Sequence, residues 1–181
     1  KWINTQNSGK NYNFYVAKGT YAQTETLPLP KGVKLYGGFA GTETETIASR
    51  DIKANETILS RDASVDNISI VTGGKGAASA DTVLDGFTIT GGKGTDPDML
   101  WYSTAGGGLF NDSSSPLIAN CTFSGNYCYA GPAIFNCRDS SPYVYRCSFE
   151  QNSGEYGGAV CSESFDSTGA VAPSFVECVF K

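Results

Sequence analysis

The chain contains no histidine among its 181 residues. That absence removes a Ser-His-Asp or Cys-His catalytic apparatus, histidine-ligated zinc and the usual protonation switch near neutral pH. Charge is also scarce: Asp, Glu, Lys and Arg make up 17% of the residues and the net charge is −5. A mildly acidic chain without a basic cluster lacks the electrostatic footprint of a DNA- or RNA-binding protein, so no nucleic-acid partner is expected. No run of about 18 apolar residues occurs, so no membrane-spanning segment is expected. The opening "KWINTQNSGK" is not a signal peptide, which suggests a mature chain or an excised piece. No stretch carries a convincing helical period. What fills the chain is glycine (22 residues), with much Ser, Thr and Asn, a mix that favours strands and tight turns.

Six cysteines are present: Cys121, Cys128, Cys137, Cys147, Cys161 and Cys178. They show no CxxC spacing, so zinc is not expected. Their positions instead follow an internal repeat. "SSPLIANCTFSGN" (114–126) and "SSPYVYRCSFEQN" (140–152) align at an offset of 26 residues, pairing Cys121 with Cys147, Phe123 with Phe149 and Asn126 with Asn152. "VAPSFVECVF" (171–180) adds Cys178 and Phe180, and "TVLDGFTIT" (82–90) places Phe87 and Ile89 in the same slots upstream. A second landmark follows the earlier copies: "GGGLFN" (106–111), "GPAIFN" (131–136) and "GGAV" (157–160). Landmarks that keep their order while their spacing stretches define a solenoid with loops of variable length.

In "CTF", "CSF" and "CVF" the first and third residues share one face of a strand. Short alternating strands in coils of roughly 20–35 residues predict an all-β chain folded as a parallel β-helix. About six or seven coils at about 4.8 Å each would make a rod near 30 Å tall. Residues 1–181 are expected to form one such domain, a segment of a longer secreted or surface protein. Cys121, Cys147 and Cys178 are expected as a stacked inward column of reduced thiols beside a Phe123–Phe149–Phe180 column. A Cys128–Cys137 bridge within one coil is the alternative for two of the remaining cysteines. Asn126 and Asn152 are expected to stack just after a strand, where Asn tolerates a left-handed backbone. The paired glycines would let the chain bend where a Cβ would clash. Residues between these positions are expected to face water or turn corners.

"VAKGTY" (16–21), "GVKLYGGFAGTE" (32–43) and "TVLDGFTITGG" (82–92) resemble the opening of secreted bacterial right-handed β-helix proteins, including large surface proteins with a C-terminal anchoring region. "GGAV", "FSGN" (123–126) and "FEQN" (149–152) are similar to the GGA-I/L/V and FxxN repeats of polymorphic outer-membrane proteins. The resemblance spans nearly the whole chain. It implies a right-handed parallel β-helix displayed outside the cell or on a bacterial outer surface. Some members of this family look like adhesins and others sit beside polysaccharide-active enzymes. Pro132 departs from the repeat by replacing the second Gly of the landmark. The chain also stops after Phe180, partway round a coil, and an open coil exposes a strand edge. More coils, another subunit, or end-to-end self-association through uncapped coils would cover that edge.

Functional candidates lie where the repeat breaks. The coil between Phe87 and Cys121 carries the excursion "GTDPDMLWYSTAG" (94–106). Trp101 and Tyr102 could form a platform for sugar rings, while Asp96 and Asp98 could accept hydroxyl hydrogen bonds or help hold Ca²⁺. The plainer alternative is that Met99, Leu100 and Trp101 fold back over the core. Tyr143 and Tyr145, if outward, would make a sticky face. Asp85, Asn120, Arg146 and Glu177 are expected in one register, with Arg146 beside Glu177. This is either an outward polar ladder or part of the acid/base or Ca²⁺ machinery of a lyase or hydrolase. Thr88, Thr122, Ser148 and Val179 form a further outward column. The "NET", "NIS", "NDS" and "NCT" triplets match the N-glycosylation pattern, as an Asn/Ser/Thr-rich chain does by chance.

The favoured expectation is a non-catalytic, adhesive or structural β-helix that presents its side faces to a glycan or cell-surface partner, with no cofactor beyond Ca²⁺. A polysaccharide lyase or glycoside hydrolase and a self-stacking filament subunit are the alternatives.

Overall fold

A computed structural model describes residues 12–42, 47–73, 79–94, 104–164 and 170–181. The described residues are short strands joined by corners and by longer irregular connections, with one 3-10 turn at Ile47–Ser49. No helix among them is long and apolar enough to cross a membrane.

The strands come in threes. The first circuit is β1 (Tyr12–Ala17), β2 (Gly19–Gln23) and β3 (Leu27–Pro28). The second is β4 (Val33–Phe39), β5 (Thr57–Arg61) and β6 (Val71–Thr72). Then follow β7 (Val83–Asp85), β8 (Thr88–Thr90) and β9 (Leu109–Asp112). The fourth circuit holds β10 (Leu117–Ala119), β11 (Thr122–Ser124) and β12 (Ile134–Cys137). The fifth holds β13 (Tyr143–Tyr145), β14 (Ser148–Glu150) and β15 (Val160–Glu163), and β16 (Ser174–Val176) and β17 (Val179–Phe180) end the chain. Each sheet takes one strand per circuit. The first sheet runs β1-β4-β7-β10-β13-β16, the second β2-β5-β8-β11-β14-β17 and the third β3-β6-β9-β12-β15. Every named strand pair is parallel.

One core joins inward residues of all three sheets, including Leu84, Ile118 and Val144 from the first, Ile89, Phe123 and Phe149 from the second, and Leu109 and Ile134 from the third. Like sits on like. Phe123 and Phe149 stack at 5.3 Å and 7°, and Phe149 and Phe180 at 4.5 Å and 8°. Cys121, Cys147 and Cys178 occupy the corner between the first and second sheets, one residue before β11, β14 and β17. Their thiols donate to backbone carbonyls: Cys121 to Ala119 (3.2 Å), Cys147 to Tyr145 (3.4 Å) and Cys178 to Val176 (3.4 Å). All six cysteines are free, so the Cys128–Cys137 bridge does not form. Hydrogen bonding to Cys121, and then burial, pushes the Cys147 thiol far above its ordinary range.

Asn126 and Asn152 stack as a buried ladder. The Asn126 amide donates to Asn152 Oδ1 (3.0 Å) and to the Ile89 carbonyl (3.0 Å), while its Oδ1 accepts the Gly92 N–H (3.0 Å). Asn152 repeats the pattern by donating to the Phe123 carbonyl at 2.9 Å. The left-handed residue, however, is not the Asn. Gly125 (φ 61°) and Gln151 (φ 53°) take that conformation one position earlier. The turn has to be made before the Asn, so that its side chain can enter the core and satisfy backbone groups at the corner. A second ladder lies after the third sheet's landmark: Asn111 donates to Asn136 (2.9 Å), and Asn136 to the Ser162 hydroxyl (3.1 Å).

The landmark glycines differ in what they require. Gly106, Gly131 and Gly157 all have φ near 60° and leave no room for a Cβ. The second landmark position varies: at Gly158 a Cβ would meet nothing, whereas at Gly107 it would meet the Pro132 carbonyl oxygen at 2.6 Å.

Two smaller clusters lie on the outside of the sheets, where water was expected. Phe135 and Cys137 point away from the main core yet are fully buried with Ala105 and Ala130, and Phe110 stacks on Phe135 at 5.8 Å. The covering segments are themselves linked by single parallel bridges, Ala105 to Ala130 and Ala130 to Tyr156. Cys128 (buried) and Cys161 (half-buried) belong to this outer region rather than to the Cys121 column. On the first sheet, Tyr36, Phe39 and Val83 form the other outer cluster with Tyr15 and Leu117.

Candidate functional site

Strand alternation decides which way the tyrosines of β13 face. Val144 pairs with Ile118 and Phe175 and is fully buried, so its neighbours Tyr143 and Tyr145 point outward. Tyr143 is 46% exposed. The two rings lie 6.5 Å apart at 24°. Beside them the Arg146 guanidinium sits 4.7 Å from the centre of the Tyr145 ring, a cation–π contact. Arg146 also donates from Nε to Glu177 Oε2 at 2.6 Å. That hydrogen bond, with the attraction of the carboxylate, raises the Arg146 pKa above its ordinary value. Both side chains are more than half exposed, so the pair orients the guanidinium more than it stabilises the fold.

Arg146 stands at a corner. Asn120, Arg146 and Glu177 all have left-handed backbones (φ 49°, 52° and 53°), as does Gly86 (φ 82°). From the third circuit on, one such residue turns the chain from the first sheet to the second. Asp85 is therefore not in register with these three. It pairs with Ala119 and Tyr36 one position earlier, and Gly86 takes the corner. Asp85 still joins the polar ladder through its side chain. It accepts from Asn120 Nδ2 (2.8 Å) and from Arg50 Nη2 (2.7 Å). The Thr88, Thr122, Ser148 and Val179 column forms as expected, in register on the second sheet.

The same outer face continues toward β1, where Tyr15 and Tyr36 stack at 5.8 Å and Arg50 lies 5.7 Å from the Tyr36 ring. Both ends of the face therefore carry a tyrosine pair with an adjacent arginine. The second pair escaped the sequence reading, because "NFYVA" and "VKLYGG" lie outside the clear repeats. The cue was the inward residue between candidates, Phe14 in one strand and Leu35 in the other. Elsewhere Tyr127 and Tyr156 are exposed, and Tyr156 packs at 5.2 Å on Tyr129, which rests on the outer Phe135 cluster.

Trp101, Tyr102, Asp96 and Asp98 lie outside the described residues. Among the described residues, no group of three or more His, Cys, Asp or Glu side chains could hold a metal ion. Four carboxylates each meet a cation: Asp85 with Arg50, Asp112 with Arg138, Glu150 with Lys181 and Glu177 with Arg146. A carboxylate held this way serves as an oriented acceptor.

The chain matches no family model, no curated protein and no solved structure.

Proposed function

We propose that the three parallel sheets are the walls of a right-handed parallel β-helix of about six circuits, part of a secreted or surface-displayed bacterial protein. Its work is adhesive, and the outer face of the first sheet binds glycans. The supporting observation is the outward Tyr143–Tyr145 pair with Arg146 packed over it and Glu177 bonded to the guanidinium. Adjacent outward rings offer C–H-bearing sugar faces a flat apolar surface, and the fixed Arg and Glu supply a donor and an acceptor at its margin. Strand placement keeps the pair in position without a binding-time ordering cost.

A glycan array probed with the purified chain, with and without calcium, tests this. The expected result is retention of a defined set of glycans, lost in a Tyr143→Ala, Tyr145→Ala double variant that keeps the native far-ultraviolet circular dichroism. An array without signal, or one that the double variant reproduces, refutes the assignment.

A further inference from the structure

The segment of residues 50–56, just before β5, folds back over the corner where the first sheet meets the second. Several hydrogen bonds fasten it there. The Asp51 N–H donates to the Gly38 carbonyl at 2.9 Å, and the Asn55 side chain to the same oxygen at 3.3 Å. Arg50 reaches the Gly37 and Asp85 carbonyls (3.4 and 3.3 Å) as well as the Asp85 carboxylate. The segment's own turn is closed by the Asp51 carboxylate, which accepts from the N–H groups of Lys53 and Ala54 at 3.0 Å. A segment held this firmly makes a fixed wall.

Between that wall and the corner runs a groove of about 250 Å³. Ile52, Lys53 and Glu56 line it from the segment before β5, and Gly86, Thr88, Asn120 and Thr122 line it from the corner and the second sheet. Glu56 Oε1 accepts the Thr88 hydroxyl at 2.9 Å, which orients the carboxylate. Asn120 Nδ2 is committed to Asp85, leaving its carbonyl oxygen as an acceptor. Lys53, Thr122 and the second oxygen of Glu56 add a cationic donor, a hydroxyl and a further acceptor. The lining therefore offers donors and acceptors in roughly equal supply, with one charge of each sign.

We propose that this groove is a saccharide subsite for one neutral pyranose ring, part of a chain that continues onto the Tyr143–Tyr145 face. The inference rests on the glycan-binding assignment above and adds a location and a sugar class to it. Its volume is below that of a pocket for a drug-sized ligand, which suits a single ring. Vicinal hydroxyls donate to the Glu56 carboxylate, and ring oxygens accept from Lys53. Lys53 and Glu56 balance one another, so a neutral sugar meets no net charge, whereas a uronate must seat its carboxylate on Lys53 and clear of Glu56. The two surfaces adjoin: Asn120 directly follows Ala119, which pairs with Tyr145 on the next strand. The separation is one or two strand spacings, about 5–10 Å, which a few sugar rings span.

The test uses calorimetry and amide chemical-shift mapping on the native chain. Probes are methyl glucopyranoside, neutral gluco-, manno- and galacto-oligosaccharides of increasing length, and oligogalacturonates. Variants are Glu56→Gln and Thr122→Val in the groove, and Tyr143→Ala on the aromatic face. We expect at least one neutral series to bind more tightly as rings are added, with shifts at Thr88, Asn120 and Thr122. Glu56→Gln should weaken it about tenfold or more, as removal of a charge-assisted hydrogen bond does, and oligogalacturonates should bind more weakly than their neutral counterparts. If Tyr143→Ala abolishes binding while Glu56→Gln and Thr122→Val do not change it, the groove assignment is wrong and the aromatic-face assignment stands. If only the groove variants lose binding, the groove stands without the aromatic face. Tighter binding of oligogalacturonates overturns the neutral-sugar assignment, and the absence of any saturable shift overturns both surfaces.

Discussion

Replacing Asn126 separates two roles that its side chain combines. Its Oδ1 accepts from Gly92 N–H, and its Nδ2 donates to the Ile89 carbonyl and to Asn152 Oδ1, each at 3.0 Å. Asn126→Ala removes the acceptor and leaves the Gly92 donor without its partner in a buried place, at a cost of about 2–3 kcal/mol. Asn126→Asp keeps the Gly92 bond but turns an ionised oxygen toward two acceptors. An unpaired buried charge of this kind costs roughly 3–5 kcal/mol, so Asp should be the worse substitution at pH 7. The sign then reverses with acid. Burial and the facing acceptors raise the aspartyl pKa in the folded state above its unfolded value of about 3.9. The variant therefore keeps its stability below about pH 4 and loses it as pH rises through the folded pKa, at about 1.4 kcal/mol per pH unit. Urea denaturation followed by far-ultraviolet circular dichroism at pH 4.5 and pH 7 measures both effects. Because circuits stacked in one dimension can open locally, exchange of the Gly92 amide is the sharper readout. It should accelerate in Asn126→Ala and stay slow in Asn126→Asp at low pH. Equal stability of the two variants at pH 7, a pH-independent gap from the native chain, or unchanged Gly92 exchange in the Ala variant would refute the ladder argument.

The phenylalanine column predicts a gradient: Phe149 is 1% exposed between two rings, whereas Phe180 is 54% exposed at the end of the stack. Phe149→Ala should cost about 3–5 kcal/mol in urea unfolding and Phe180→Ala about 1 kcal/mol or less, and equal costs would contradict the stacking. Thiol labelling at pH 8, read by mass spectrometry, should modify Cys178 first and Cys161 more slowly, because burial raises the Cys161 thiol pKa, and leave the four buried cysteines until the chain unfolds. Burial pushes the Cys128 thiol up from 9.0 to about 11. Native Cys128 therefore keeps its proton where the unfolded chain loses it. Its contribution is full below pH 9 and disappears as pH rises through about 11, a loss of roughly 3 kcal/mol in alkaline unfolding curves. Cys147 and Cys161 contribute in the same window, so the comparison is with a Cys128→Ala variant, and no difference between the two curves would show that Cys128 is not shielded.

The columns were legible because stacking leaves a periodic trace. Each inward side chain must match its counterpart in the next circuit, about 4.8 Å away, so Cys121 and Cys147 or Phe123 and Phe149 recur at one offset. The same logic makes the Arg146–Glu177 pair and the Thr88–Thr122–Ser148 column legible in the sequence. Asp85, however, stands two residues before Phe87 while Asn120 stands one before Cys121, so the repeat spacing puts Gly86, not Asp85, at the corner position, as the structure finds. The sequence reading also assigned the left-handed conformation to Asn126, whose neighbour Gly125 carries it.

By itself, then, the amino-acid order determined the strand-rich character, the inward columns and their pairing across circuits, since all follow from local alternation and a repeated spacing. Only the tertiary structure decided what lies outside the sheets. Phe135 and Cys137 occupy outward positions, yet the covering segments bury them. Tyr143 occupies an equivalent outward position and remains exposed. The strand pattern around the two is the same; what differs is whether neighbouring segments, here those at Ala105 and Ala130, pack over them. The segment before β5 forms a groove for the same reason, through Arg50, Asp51 and Asn55 bonds to residues of β4 and β7. The Arg50, Asp51 and Asn55 contacts are side-chain and backbone bonds made by one circuit, so they leave no period to read.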